Sequence, residues 1–141
     1  MCLISKNKRL RIATKKIECY KVILNWKLFE GLDNPEFEMY ETPFKGSFID
    51  RKCICGKKAY KAKGTTEKNK SDDCTIFGRG LIHTYKSMED VEKFPFSHFF
   101  KKCVKVYKCY IMPGTRYVEG VDLSHAKSYA SKKIKFVEEV R

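Results

Sequence analysis

The chain is poor in the features that usually identify a protein from its sequence. It has no apolar run approaching the roughly 18 residues that a membrane-crossing helix needs, so no membrane partner is expected. Its opening, Met1-Cys2-Leu3-Ile4-Ser5-Lys6, has neither an apolar core nor a small-residue cleavage site, which argues against a secretory leader and for the cytoplasm. There is no phosphate-cradling glycine loop ending in Lys-Ser/Thr, no dinucleotide glycine fingerprint, no nucleophile elbow and no pair of spaced carboxylates. No reaction is therefore written in a motif, and the expectation leans away from an enzyme. Acidic residues are also few: 17 against 30 lysines and arginines, a formal charge of +13.

That excess is clustered. Residues 1–16 hold Lys6, Lys8, Arg9, Arg11, Lys15 and Lys16 with no acid. Residues 51–70 hold Arg51, Lys52, Lys57, Lys58, Lys61, Lys63, Lys68 and Lys70 against Glu67 alone. Residues 17–50 are net acidic. Adjacent cations add their fields, and a small domain stays soluble with a net charge of about 2–8, so the surplus favours a polyanionic or phosphate-bearing partner. Arginine is the minor cation, with only Arg9, Arg11, Arg51, Arg79, Arg116 and Arg141. Lysine attracts phosphate as a hydrated point charge, whereas arginine reads bases bidentately, so attraction is favoured over sequence reading. An acidic host protein is the other partner this charge would suit. Oligomeric state is not encoded in these patterns.

A length of 141 residues suits one domain, expected over residues 1–141, and 10 Phe with 8 Tyr argue for a folded core. Seven cysteines at irregular spacing read as free thiols in a reducing compartment. Strand patterns dominate. Residues 17–26 alternate Tyr20, Val22, Leu24 and Trp26 on one side. Residues 36–40 suit a short edge strand, and residues 46–60 a strand or a hairpin broken at Gly56. Residues 61–73, almost without apolar side chains, read as a mobile basic loop. A strand punctuated by Gly78 and Gly80 runs over residues 75–86. Residues 103–112 form the strongest strand, and a change of phase midway implies burial on both faces or a bulge. Residues 115–121 and 132–140 are further strands, the last with Ile134 and Phe136 inward. Residues 123–130 suggest a helical turn. Ser87-Met88-Glu89-Asp90 resembles a capping box opening a helix near residues 87–101, with Met88, Val91 and Phe94 on one stripe. The resulting fold class is α+β: one strand-rich domain, a mixed or antiparallel sheet and one main helix.

Three groups of side chains offer chemistry. Cys53 and Cys55 would face the same side of a strand, and Cys74 with His83 would complete a tetrahedral zinc site. The gap of one residue and the lack of a second close pair favour packed thiols instead, so no metal and no cofactor are expected. His83 and Tyr85, two apart on the glycine-flanked strand, would share a pocket with Arg79 at its mouth, or would simply be half-buried on a sheet. The segment Pro113-Gly114-Thr115-Arg116-Tyr117 combines a turn, a hydroxyl, a cation and an aromatic, which suits phosphate or base contact and equally an ordinary hairpin. The candidate ligand-binding set is therefore Arg79, His83, Tyr85, Arg116 and Tyr117, with the two basic blocks as the attracting patch.

Three stretches read together: Met1-Cys2-Leu3-Ile4-Ser5 with Ile17-Glu18-Cys19-Tyr20-Lys21; residues 80–85 leading into Met88-Glu89-Asp90-Val91; and residues 107–120 with Ser128-Tyr129-Ala130-Ser131. Over most of its length the chain resembles small uncharacterised proteins of bacteria and their phages. That resemblance implies no activity; it points to a phage or mobile-element accessory protein, a kind that often acts by binding, by sequestering a signal nucleotide or blocking a host complex, here against host defence. The order of a strand, a helix and a long apolar strand is also similar to ADP-ribosyltransferase-like folds. That similarity implies His83, Tyr85 and Glu119 as catalytic candidates acting on a nicotinamide dinucleotide. The expected function is non-enzymatic binding of a phosphate-bearing nucleotide or nucleic acid, with the transferase and a basic protein-interaction module as alternatives.

Overall fold

The computed structural model describes residues 3–25, 40–41, 48–93 and 104–141. In chain order the strands are β1 (Leu3–Ser5), β2 (Arg11–Ile12), β3 (Ile17–Asn25), β4 (Tyr40–Glu41) and β5 (Phe48–Ile49). Next come α1 (Arg51–Ile54), β6 (Tyr60–Lys61), β7 (Lys68–Lys70), β8 (Thr75–Phe77), β9 (Ile82–Tyr85) and α2 (Met88–Val91). The chain closes with β10 (Val104–Ile111), β11 (Arg116–Val121), β12 (Lys127–Ser131) and β13 (Lys133–Glu139). Among the described residues no helix is long and apolar enough to cross a membrane.

The expected α+β class with a main helix near residues 87–101 is corrected: the protein is nearly all-β. Strands pair antiparallel in the order β6-β13-β10-β3-β9-β12-β11-β1-β8-β7, with β2 beside β11 and β4 between β3 and β5. Both helices are four residues long. The cap of α2 forms as the sequence suggests, with Ser87 Oγ accepting from the Asp90 amide at 3.2 Å. One turn later the Lys93 amide bonds back to the Asp90 carbonyl, which tightens and ends the helix. Residues 94–101, the rest of the expected helix, lie outside the described residues. The expected edge strand at 36–40 does so too, except for Tyr40.

Other expected elements also changed, and the single strand expected over residues 75–86 is two, β8 and β9. Residues 46–60 contain α1, capped by Asp50 accepting from the Lys52 amide, so Cys53 is buried in the helix and Cys55 is exposed at its end. The two thiols therefore diverge where a strand would have aligned them. Residues 127–131 form β12 where a helical turn was expected. Lys68–Lys70, within the expected loop at 61–73, is a strand paired to β8.

The sheet cannot be flat. Ten strands at about 4.8 Å spacing would put β6 and β7 roughly 43 Å apart. The chain between Lys61 and Lys68 can span at most about 25 Å. The sheet must curl, and contacts show where: the Ala62 amide donates to the Lys132 carbonyl, and the Glu67 amide to the Arg79 carbonyl. The two faces bury separate cores. One holds Cys19, Ile23, Cys109, Ile111, Ile134 and Phe136, closed by Cys53 and Ile54 of α1. The other holds Val22, Tyr85, Val106 and Ala126 under Val91 of α2, and, further along, Leu3, Phe77, Leu81, Val118 and Ala130. Of the two anticipated causes for the phase change in β10, burial on both faces holds; β10 pairs with β3 without a break, and the register shift against β13 between Lys108 and Cys109 puts the extra residue, Val137, on β13.

Candidate functional site

Register decides which predicted site residues meet. His83 lies opposite Ala130, and Tyr85 opposite Ser128. Both project to the face of Val118 and Ala130, and both are buried. Tyr85 donates its hydroxyl to Asp122 Oδ2 at 3.3 Å. Burial, and then the Asp122 carboxylate, push that phenol far above its ordinary range, so it is locked in the neutral form. Asp122 is committed to structure as well, its Oδ1 accepting from the amides of Ser124 and Ala126. Glu119 projects to the opposite face, with Tyr129, and pairs with Lys86 at 2.9 Å. The three residues suggested by the transferase resemblance are thus divided between two faces of the sheet.

Arg79 stands out in solvent, with Glu67 at 3.9 Å. Tyr117 packs edge-on against Tyr129 at 6.2 Å. Arg116, its neighbour on β11, necessarily projects the other way. The cysteines give no metal centre: among the described residues no group of three or more His, Cys, Asp or Glu side chains could hold an ion. Cys19 and Cys109 oppose each other across β3 and β10. Burial pushes the Cys19 thiol up to about 12 and the Cys109 thiol upward as well, which makes both poor nucleophiles.

What the fold does bring together is a groove of about 400 Å³ beside Arg116. Arg116 lies opposite Ile12 of β2, so both face the groove, while Arg11 lies opposite Tyr117 and turns away. Arg9 and Leu10, from the turn before β2, close one side; Thr66 and Lys68 close the other. The floor is apolar. Phe77, fully buried, lies beneath, and Leu10 packs on the core that contains it. Ile12 adds an apolar edge that is 61% exposed. Lys68 holds its ammonium over the Phe77 ring, 5.9 Å from the centroid, a cation–π contact that orients the charge without neutralising it. Among the described residues no carboxylate pairs with Arg9, Lys68 or Arg116.

The two basic blocks therefore meet only in part. Arg9 of the first and Lys68 of the second share this groove. Arg51, Lys52, Lys57 and Lys58 lie on and after α1, and Lys61 on β6, at the other end of the strand order. Lys63 follows β6 and is exposed, as are Lys6 and Lys8 before the groove. Composition alone underrated Thr66, Leu10, Ile12 and Phe77 as site residues. The one available signal was an exposed-strand dipeptide, Arg11-Ile12, that places an isoleucine inside a basic run. No family model, curated protein or solved structure matches the chain.

Proposed function

We propose that the groove beside Arg116 is a binding seat for a nucleotide unit, and that the protein acts by binding rather than by turnover. The observation that carries this reading is the meeting of three cations distant in sequence, Arg9, Lys68 and Arg116, over an apolar floor of Leu10 and Ile12 with the buried Phe77 beneath. Arginine matches phosphate oxygens bidentately, and lysine supplies a point charge. The apolar floor and Ile12 favour a ligand whose other half is flat and weakly hydrated. A free inorganic ion would use the cations and waste the floor; an uncharged aromatic would do the reverse. A nucleotide uses both. The volume lies within the range of about 300–1,000 Å³ usual for small-molecule sites.

The reading is tested by following amide chemical shifts during titration with thymidine 5′-monophosphate, thymidine and inorganic phosphate. The nucleotide should shift residues 9–12, 66–68, 77 and 116, and bind at least tenfold tighter than either fragment. Arg116→Ala should weaken it about tenfold or more, the loss of one charge-assisted contact. Binding should fall as salt rises. Shifts that phosphate alone reproduces in full, or shifts centred elsewhere, would overturn it.

A further inference from the structure

Resting on that reading, we infer that the natural occupant is a short single-stranded stretch of nucleic acid, two or three nucleotides long, with the groove as its first subsite. The groove does not end its charge at Lys68. β7 pairs with β8 so that Lys68 lies opposite Phe77 and Lys70 opposite Thr75. Phe77 and Thr75 are both buried on the groove's side, together with Leu3 and Ser5. Lys68 and Lys70 therefore project from the same face of β7, and both are exposed. Among the described residues no carboxylate pairs with Lys70.

The spacing selects the ligand. Two residues along a strand are about 6.7 Å apart. Consecutive phosphates of an extended single strand are set at a comparable interval, because a whole sugar separates them. The phosphates of a nucleoside diphosphate share one bridging oxygen and are far closer, so they match this interval less well, and both lysine stems would have to bend together to reach them. Among the described residues β7 has a strand neighbour on one side only, at the end of the pairing order, and its residues are exposed, so a backbone can run along it. The track is also short. The turn after Lys70 carries Asp72 and Asp73, both exposed and closed by the Ser71 amide bonding to the Cys74 carbonyl. A phosphate beyond Lys70 would meet two carboxylates and be repelled. The groove and Lys70 thus accommodate two phosphates, and the acidic turn excludes a longer register.

The experiment compares thymidine 5′-monophosphate, adenosine 5′-diphosphate and oligothymidylates of two, three, four and eight nucleotides by the same chemical-shift titration at fixed low salt. Affinity should rise about tenfold from one nucleotide to two or three and then level off, apart from the statistical gain of several registers on longer chains. Lys70→Ala should abolish that step and leave the mononucleotide unchanged. Asp72→Asn with Asp73→Asn should restore a gain between four and eight nucleotides. A mononucleotide or the diphosphate binding as tightly as the trinucleotide would overturn the inference and leave the nucleotide seat standing. So would affinity that climbs steadily to eight in the parent protein. No shift at residues 9–12, 66–68, 77 and 116 with any of these ligands would remove both.

Discussion

Asp90 shows how a single polar residue fastens this fold. It is buried, and burial alone would push its carboxyl upward. Its Oδ2 accepts from the Ser87 hydroxyl at 2.6 Å and its Oδ1 from the Lys127 amide at 2.9 Å, with Lys93 at 3.7 Å. These contacts prevail and hold its pKa below the ordinary carboxylate value. A depressed carboxyl stabilises the folded state above the ordinary carboxylate pKa, near 3.9, and that contribution disappears as pH falls through the lowered folded value. Asp90→Asn should therefore cost about 1.5 kcal/mol at neutral pH, the worth of a hydrogen bond to a charged group. The deficit should begin to shrink as pH falls below about 4, where the unfolded chain's carboxyl protonates, and close only below the lowered folded value. Denaturant unfolding of both proteins across that range measures it; a deficit constant with pH would mean that shape, not charge, is what Asp90 contributes. The sequence made half of this visible. Ser87 and Asp90 announce a helix cap three residues apart, but the partner amide of Lys127 is 37 residues away and no local pattern points to it. The same limit explains His83 and Tyr85. Their spacing correctly placed them on one face, and only the register of β12 shows that the face is interior.

At the scale of elements, alternation of apolar residues carried the strands that are half-buried or long: β3, β10, β11 and β13 all lie where the pattern suggested. It failed where small polar residues are buried. β12 reads Lys-Ser-Tyr-Ala-Ser, and Ser128 and Ser131 are fully buried although nothing in their chemistry requires it. It failed also at α1, since four residues are too few to display a helical period. Strand packing here depends on close backbone approach, and glycine marks it. A Cβ at Gly120 would overlap the Ile4 carbonyl oxygen of β1 and crowd the Leu3 side chain, so β1 could not close on β11. Gly114 differs. Nothing lies within 4 Å of where its Cβ would be, and only its φ of +87° disfavours a side chain. Gly120→Ala should lower stability by about 1–3 kcal/mol, as overpacking does. Gly114→Ala should cost about 1–2 kcal/mol, the penalty of a side chain in the left-handed region. Equal losses in urea unfolding would show that the β1–β11 contact yields more easily than its geometry implies.

For the whole molecule, the decisive quantity is a charge of +13, and among the described residues most cations have no carboxylate partner. The block pattern was legible in the sequence; its division was not. A connection of six residues carries the second block from β6 to β7, opposite ends of the strand order, and only Lys68 of the two lysines that bound it lines the groove. Self-repulsion of this size should destabilise the free protein and draw in anions, and salt acts on both effects through the same screening, with a Debye length of about 10 Å at 0.1 M. The two consequences have opposite signs. Raising sodium chloride from about 20 mM to about 0.5 M should raise the melting temperature of the free protein, because repulsion between unpaired lysines is screened more than the few exposed ion pairs are weakened. The extra stabilisation that a saturating trinucleotide confers at low salt should shrink over the same range, since its affinity is lost while the free protein gains. Thermal unfolding with and without ligand at several salt concentrations reads both at once. The curves should converge from below as the free protein rises towards the bound one. A melting temperature that falls with salt in the free protein would mean that its surface ion pairs outweigh the net charge. The clustering of Arg9, Lys68 and Arg116 would then be an ordinary solvated face rather than a site held open for phosphate.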